Sequence, residues 1–440
     1  MSLMSASKQK GFLLTSRWYE GKENTELEFW FASDAGPLCA LIEQPSVCFI
    51  PLDEQDKAQK LARAEGIPLT CREVQLCSFS LKPLIACYLR QSDIYRFNYL
   101  LRDWDIKVWE YDLRPTDRYL MERFVRGGAE IEGQWQSCDG YLLCQQGRIK
   151  PSQAAVESAA LTILSVDIET TFPKEDKHDR LFSIACHGDA IINGQRETVN
   201  HIWMVGAETS PAAKYCEYVA DEVVLLKRFF SEMQRLDPDV IRAQYQFDSI
   251  ALTSVAEELL DRHKLINGEA KIYEGYDHEI EYLFDHDKPA LAAYNLEDCI
   301  LVADIFHHTE LMDFAVQRSS LTGLLLDRMG GSVAAFEDLY LPLLHRNGYV
   351  APNYGEGYSD IKSPGGFVMD SRPGLYDSIL VLDFKSLYPS IMRTFKIDPM
   401  GLIEGLKVGQ DSRQTQQKSQ TIEGFNGGCF DREKHCLPDL

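Results

Sequence analysis

The run "LTILSVDIETT", residues 161–171, constrains the fold more than any other stretch. An apolar, partly β-branched run flows directly into two acids, Asp167 and Glu169. This composition predicts a strand with acids at its end. Residues i and i+2 of a strand point to the same face, so both carboxylates share one side. Two adjacent acids repel and resist ionisation unless a cation lies between them. Oxygen donors of this kind suit Mg²⁺ or Mn²⁺. A strand-end D-x-E alone fits solvated acids at a strand terminus better than a metal site.

Later stretches of the chain narrow the choice. "ADEVVLLKRFFSEMQRL" (220–236) predicts a helix closed by "DPD", residues 237–239. "KPALAAYNLEDCILVADIFHHTELM" (288–312) predicts a long helix with Pro289 in its first turn. Within it, Tyr294 and Asp298 are four apart and so stand one above the other. The phenol could hold a water while the carboxylate holds metal. Taken alone, the pair fits a packed tyrosine beside a surface aspartate better. Strand, helix and acid-bearing helix in this order predict an α/β domain.

The first ~150 residues are strand-rich and predict an α+β domain with no catalytic signature. "ELEFWF" (26–31) places Leu27, Phe29 and Phe31 on one face. "DEQDKAQKLARAEG" (53–66) predicts a polar helix that Gly66 ends. "LRPTDRYLMERFV" (113–125) predicts an amphipathic helix burying Tyr119, Leu120 and Phe124. The polar stretch 409–428 predicts a flexible loop. With 440 residues, more than one domain is expected.

The twelve cysteines are scattered without a C-x-x-C pair, which argues against a zinc knuckle or disulfide framework. No apolar run approaches 20 residues and the N-terminus lacks a secretory pattern. A reduced, cytoplasmic protein is expected. The formal net charge of −22 speaks against nucleic acid as a partner, since DNA affinity rests on Lys/Arg–phosphate contacts. Carboxylates gathered for metal-dependent phosphoryl chemistry would account for part of the excess.

The strand-end D-x-E with a late Y-x-x-x-D helix resembles the DEDDy 3′–5′ exonucleases, which work with two metals about 4 Å apart. The resemblance implies Asp167, Glu169 and Asp298 as metal ligands and Tyr294 as the residue orienting water. That class carries one more acid, in an N-x-x-x-F-D segment that usually follows a phrase like "DPDVI-x-G". Here "DPDVI" (237–241) is followed by "RAQYQFDSIAL", and only Phe247–Asp248 match. Either Asp248 is the fourth ligand, or a block of residues is missing and "YQFDSIALTSVAEELL" is a later segment joined on. The second reading is preferred, because Asp167 and Asp298 are only 131 positions apart.

"VLDFKSLYPS" (381–390) ends an apolar run on Asp383, which is expected at a strand end. With "SPGGFV" (363–368), "RPTDRYLMERF", "GGSVAAFEDLYLP" and "FDREKHCLP", it is similar to motif A and its surroundings in family B DNA polymerases, notably their bacterial polymerase II branch. The resemblance runs over most of the chain. It implies that Asp383 binds two catalytic metals and that backbone from Phe384 through Ser386 to Leu387 meets the triphosphate. Tyr388 would exclude a 2′-hydroxyl, while Gly365 and Gly366 would let backbone approach the template.

The implied architecture combines an N-terminal α+β domain (1–155), a shortened RNase H-like exonuclease domain (156–318), a connector (319–375) and the start of a palm (376–440). Implied partners are primer–template DNA, a single-stranded 3′ end, dNTPs and a sliding clamp, with no membrane. The family's K-x-x-x-N-S-x-Y-G and D-T-D motifs are not found in these 440 residues, so they are expected not to polymerise. A stand-alone exonuclease and a non-catalytic DNA-binding remnant remain as alternatives.

Overall fold

The computed structural model describes residues 7–153, 161–171, 180–192, 195–208, 213–243, 252–262, 264–265, 276, 278–328, 331–355, 369–410, 421–423 and 429–436. The chain is mixed α/β and divides into two units: 1–15, 29–40 and 126–329 in one, 16–28, 41–125 and 330–440 in the other. Asp248, Gly365, Gly366 and most of the 409–428 stretch lie outside the described residues.

In the first unit, the acid-bearing run forms the strand Ile163–Thr170. It sits inside a five-stranded sheet ordered Cys216–Val219, Gln195–Val205, Leu181–Ile192, Ile163–Thr170, Val240–Ala243. Ile163–Thr170 pairs antiparallel with Leu181–Ile192 and parallel with Val240–Ala243. Gly188 permits a close approach here: a Cβ on it would lie 2.1 Å from the Ile163 carbonyl oxygen.

Alternation along the strands separates the two faces of this sheet. Ile184, Cys186 and Trp203 pack with Leu225 of the helix Glu222–Leu236. Ala185, Ile202 and Met204 pack instead with Ile280 and Phe284 of Glu279–His286, and with Leu291, Ala292 and Cys299 of Lys288–His308. Register sets Asp167 opposite Ala185 and Glu169 opposite Ser183. Both acids therefore face the Lys288–His308 helix.

Local signals set the ends of these elements. Asp221 caps Glu222–Leu236 by accepting from the Val224 amide at 2.8 Å. The "DPD" turn ends that helix with Asp237 in the left-handed region (φ 45°). Its Asp239 accepts from the Thr162 amide at 2.7 Å, pinning the start of the acid-bearing strand. Asp287 caps Lys288–His308, with Pro289 in the first turn as expected. That helix stops at His308; Glu310 turns left-handed (φ 51°) and a second helix, Leu311–Thr322, comes next.

The second unit holds a four-stranded sheet ordered Tyr349–Val350, Thr70–Ser78, Pro83–Leu89, Ser46–Pro51. Its core joins Cys48, Ile50, Ile85 and Cys87 to Ala58 and Ala62 of the helix Gln55–Ala64 and to Ile94, Phe97 and Leu101 of Gln91–Arg102. Gly66 takes a positive φ (66°) just beyond the first of these helices. The strand Thr25–Ala32 buries Leu27, Phe29 and Phe31 on one face, as the alternation requires.

Two expectations are corrected. The 113–125 helix is only Pro115–Met121: Tyr119 and Leu120 are buried, but Phe124 lies past its end with φ 53° and is half-buried. The strand expected before Asp383 does not form. Residues 378–384 are irregular, and Leu380, Val381, Leu382 and Phe384 are each 78–85% exposed. An apolar run becomes a strand only when a neighbour takes up its backbone hydrogen bonds, and no described strand does so. The "LYPS" sequence opens the helix Leu387–Phe395.

Candidate metal centre

Asp298 comes down from the helix onto the face where Asp167 and Glu169 point up from the strand. The helix is fastened there by two bonds: Asn295 Nδ2 donates to Ser183 Oγ at 2.9 Å, and the Cys299 thiol donates to the Ala185 carbonyl at 3.4 Å. Ser183 and Ala185 are the residues opposite Glu169 and Asp167, so one register places all three acids. One oxygen from each of Asp167, Glu169 and Asp298 lies within 4.8 Å of the others.

The electrostatics are those of acids gathered without enough positive charge. Burial first, then the Asp298 carboxylate, pushes Asp167 up to about 6. Glu169 is pushed up to about 9 by burial and then by Asp167. Burial raises Asp298 and, with the adjoining Asp298 carboxylate, raises the Tyr294 phenol. A divalent cation would relieve this repulsion.

Among the described residues, Lys264 is the cation that meets these acids. Its ammonium donates to Asp298 Oδ2 at 2.6 Å and to the Tyr294 hydroxyl at 3.5 Å. The lysine side chain is only 10% exposed. Two residues before it, Arg262 forms ion pairs with Glu297 and Asp304 on the same long helix. The segment carrying Lys264 is thus clamped along the helix. No motif in the sequence announces this lysine; the one hint is its position closely after a short helix, Leu252–Leu260.

The other Asp298 oxygen, Oδ1, is buried with no hydrogen-bond partner among the described residues. A bare carboxylate oxygen in a three-acid cluster fits an oxygen-seeking divalent ion such as Mg²⁺ or Mn²⁺. The structure thus brings together Asp167, Glu169, Tyr294 and Asp298. Asp383 lies in the second unit, exposed beside Phe384, Ser386, Leu387 and Tyr388. It is not at a strand end, and it belongs to no three-residue acidic group among the described residues.

Comparison with known proteins bears on the whole arrangement. Residues 106–244 match the exonuclease domain of DNA polymerase family B, residues 329–433 match DNA polymerase family B itself, and residues 11–45 match the N-terminal region of DNA polymerase II. DNA polymerase II of Escherichia coli is 38% identical across 98% of this chain and 60% of its own length. The chain belongs to the family B DNA polymerases.

Within the family it is similar to polymerase II, and it spans about three fifths of that relative's length. The family B DNA polymerase of the archaeon Pyrobaculum calidifontis shares the fold, with a TM-score of 0.67 over 97% of this chain and 61% of its own, at 17% identity. A Pyrococcus glycovorans DNA polymerase is 23% identical over 67% of this chain and 41% of its own length. No described helix is long and apolar enough to cross a membrane.

Proposed function

We propose that the chain is the N-terminal part of a polymerase II-type DNA polymerase: an N-terminal domain (1–155), a shortened exonuclease domain (156–318), a connector (319–375) and the start of the palm (376–440). The observation that carries this reading is the convergence of Asp167, Glu169 and Asp298 in a domain matched to the family's exonuclease. In this reading those three acids hold divalent metal. The ion's chemistry is charge neutralisation around a phosphodiester under attack. Tyr294 orients the attacking water at a single-stranded 3′ end.

We further propose that a block of the exonuclease domain is missing after Ala243. Two findings support this. The exonuclease match stops at residue 244, at the end of the Val240–Ala243 strand. The comparison with polymerase II runs over 500 positions, more than the chain has residues. Asp248 then belongs to a later segment and is not the fourth ligand. The lysine on Asp298 favours a weakened site, so the second reading is a DNA-binding remnant with little or no nuclease activity.

A nuclease assay on 5′-labelled single-stranded DNA with Mg²⁺ or Mn²⁺ tests both. Cleavage far below that of a complete family B exonuclease, unchanged by Asp248→Ala, is expected. Vigorous cleavage that collapses on Asp248→Ala would overturn the missing-block reading. In the palm segment, Asp383, the 384–387 backbone and the Tyr388 side chain would meet metal and dNTP only with the partner carboxylate of the D-T-D motif. Gly365 and Gly366 would lie along the template, and a sliding clamp is a partner of the whole family protein.

A further inference from the structure

Three cysteines line up across the sheet of the second unit. Cys48 stands directly opposite Cys87, and Cys87 directly opposite Cys71, on three neighbouring antiparallel strands. Directly opposed residues share a face, so all three thiols lie in one row. The Cys71 and Cys87 sulfurs are 3.8 Å apart. Cα atoms opposed in an antiparallel pair are about 4.5 or 5.5 Å apart, and both distances fall within the span that a disulfide bridges.

The two thiols are unequal. Cys87 is fully buried, whereas Cys71 is half-buried at the edge of the core formed with the helix Gln55–Ala64. From these positions we propose that Cys71 and Cys87 form an oxidation site, in which a hydroperoxide is reduced and the two strands become covalently joined. Cys71 is the attacking group because solvent reaches it; Cys87 is the resolving group because it lies behind and within reach. The electrostatics agree. A hydrogen bond from Cys87, followed by one from Gln59, lowers Cys71 to about 7 despite its partial burial. Burial pushes Cys48 up to about 12, and the hydrogen bond to Cys71, then burial, push Cys87 higher still, so Cys71 is the thiol of the row that ionises and Cys87 gives up its proton only as it attacks the oxidised Cys71.

The chemistry balances. The Cys71 thiolate attacks the terminal oxygen of the hydroperoxide, the O–O bond breaks, and the alkoxide or hydroxide that leaves takes a proton from water. Cys71 is then a sulfenic acid. The Cys87 sulfur attacks the Cys71 sulfur, the S–O bond breaks, and the departing hydroxide leaves as water with the Cys87 proton. Two thiols are oxidised to a disulfide and one peroxide is reduced.

The experiment treats the full chain with hydrogen peroxide, alkylates the remaining thiols with N-ethylmaleimide under denaturing conditions, and maps the peptides by mass. The expected product is a Cys71–Cys87 cross-linked peptide, lighter by two hydrogens and reversed by dithiothreitol. It should form at lower peroxide doses than oxidation of the half-buried Cys77, Cys138, Cys216, Cys429 or Cys436. Cys87→Ala, checked for native circular dichroism, should leave a Cys71 sulfenic acid that dimedone captures. Cys71→Ser, likewise checked for native circular dichroism, should leave Cys87 unmodified at the same dose. If Cys71 and Cys87 remain free while other cysteines oxidise, or if Cys71 pairs with a different cysteine, the proposal is wrong.

Discussion

At Asp298 the two carboxylate oxygens have different fates. Oδ2 accepts from Lys264, while Oδ1 is buried and bare among the described residues. The lysine and a metal would therefore compete for one side chain. Removing the ammonium while keeping its aliphatic length, in Lys264→Met, should tighten Mn²⁺ binding by roughly tenfold, or about 1.4 kcal/mol. Titration followed by electron paramagnetic resonance reads this directly; unchanged affinity would mean that Lys264 turns away when metal arrives. The acids themselves were legible from residue type and spacing, since i, i+2 on a strand and i, i+4 on a helix each fix a shared face. Lys264 was not, because its position depends on the Arg262 ion pairs with Glu297 and Asp304, 35 and 42 residues further along the chain.

Among the elements, the strand Ile163–Thr170 and the helix Lys288–His308 could be read from pattern because each contains its own signal: a β-branched run in one, a first-turn proline in the other. Their fastening is tertiary. Asn295 and Ser183 are both fully buried, and their hydrogen bond sets the helix against the strand. Asn295→Ala should cost about 1–3 kcal/mol through the orphaned serine hydroxyl, visible as a shift of the urea midpoint; a change within error would assign the fastening to the Cys299 bond and apolar packing. The strand expected before Asp383 failed for the complementary reason. Its apolar pattern is present, but pairing depends on a neighbour that pattern alone does not supply.

The helix Ser332–Arg346 offers a pH test. Burial by itself would lower the pKa of His345, but the Glu110 carboxylate and hydrogen bonds with Glu110 and Glu122 outweigh it and hold His345 up to about 9. Burial would raise Glu110, yet Arg118 and His345 bring it down to about 2. The raised histidine contributes stability that is fully present below its ordinary 6.5 and is lost as pH climbs through about 9. The depressed glutamate contributes stability present above 4.5 and lost as pH falls through about 2. Melting temperature should therefore decline between about pH 6.5 and 9, and His345→Gln should flatten that arm. An unchanged slope in the variant would show that another group sets it.

For the whole molecule, the sequence order conceals how the units are built. Each draws on separated stretches of chain, an interleaving that no local pattern encodes. Family membership was legible because motifs from several stretches agree. Activity is a separate matter, because Asp383 lies exposed on an irregular segment and these 440 residues carry no D-T-D motif. Primer extension with dNTPs and Mg²⁺ should yield no product above background. Clear extension by the purified chain would show that Asp383 finds its partner carboxylate elsewhere.

Whether Asp167, Glu169 and Asp298 form a divalent-metal site is tested most directly by Mn²⁺ titration of the full chain beside Asp167→Ala of matching circular dichroism. Saturable binding in the parent chain and its loss in the variant are expected. Equal binding in both, or none in either, would contradict a metal centre at these three acids.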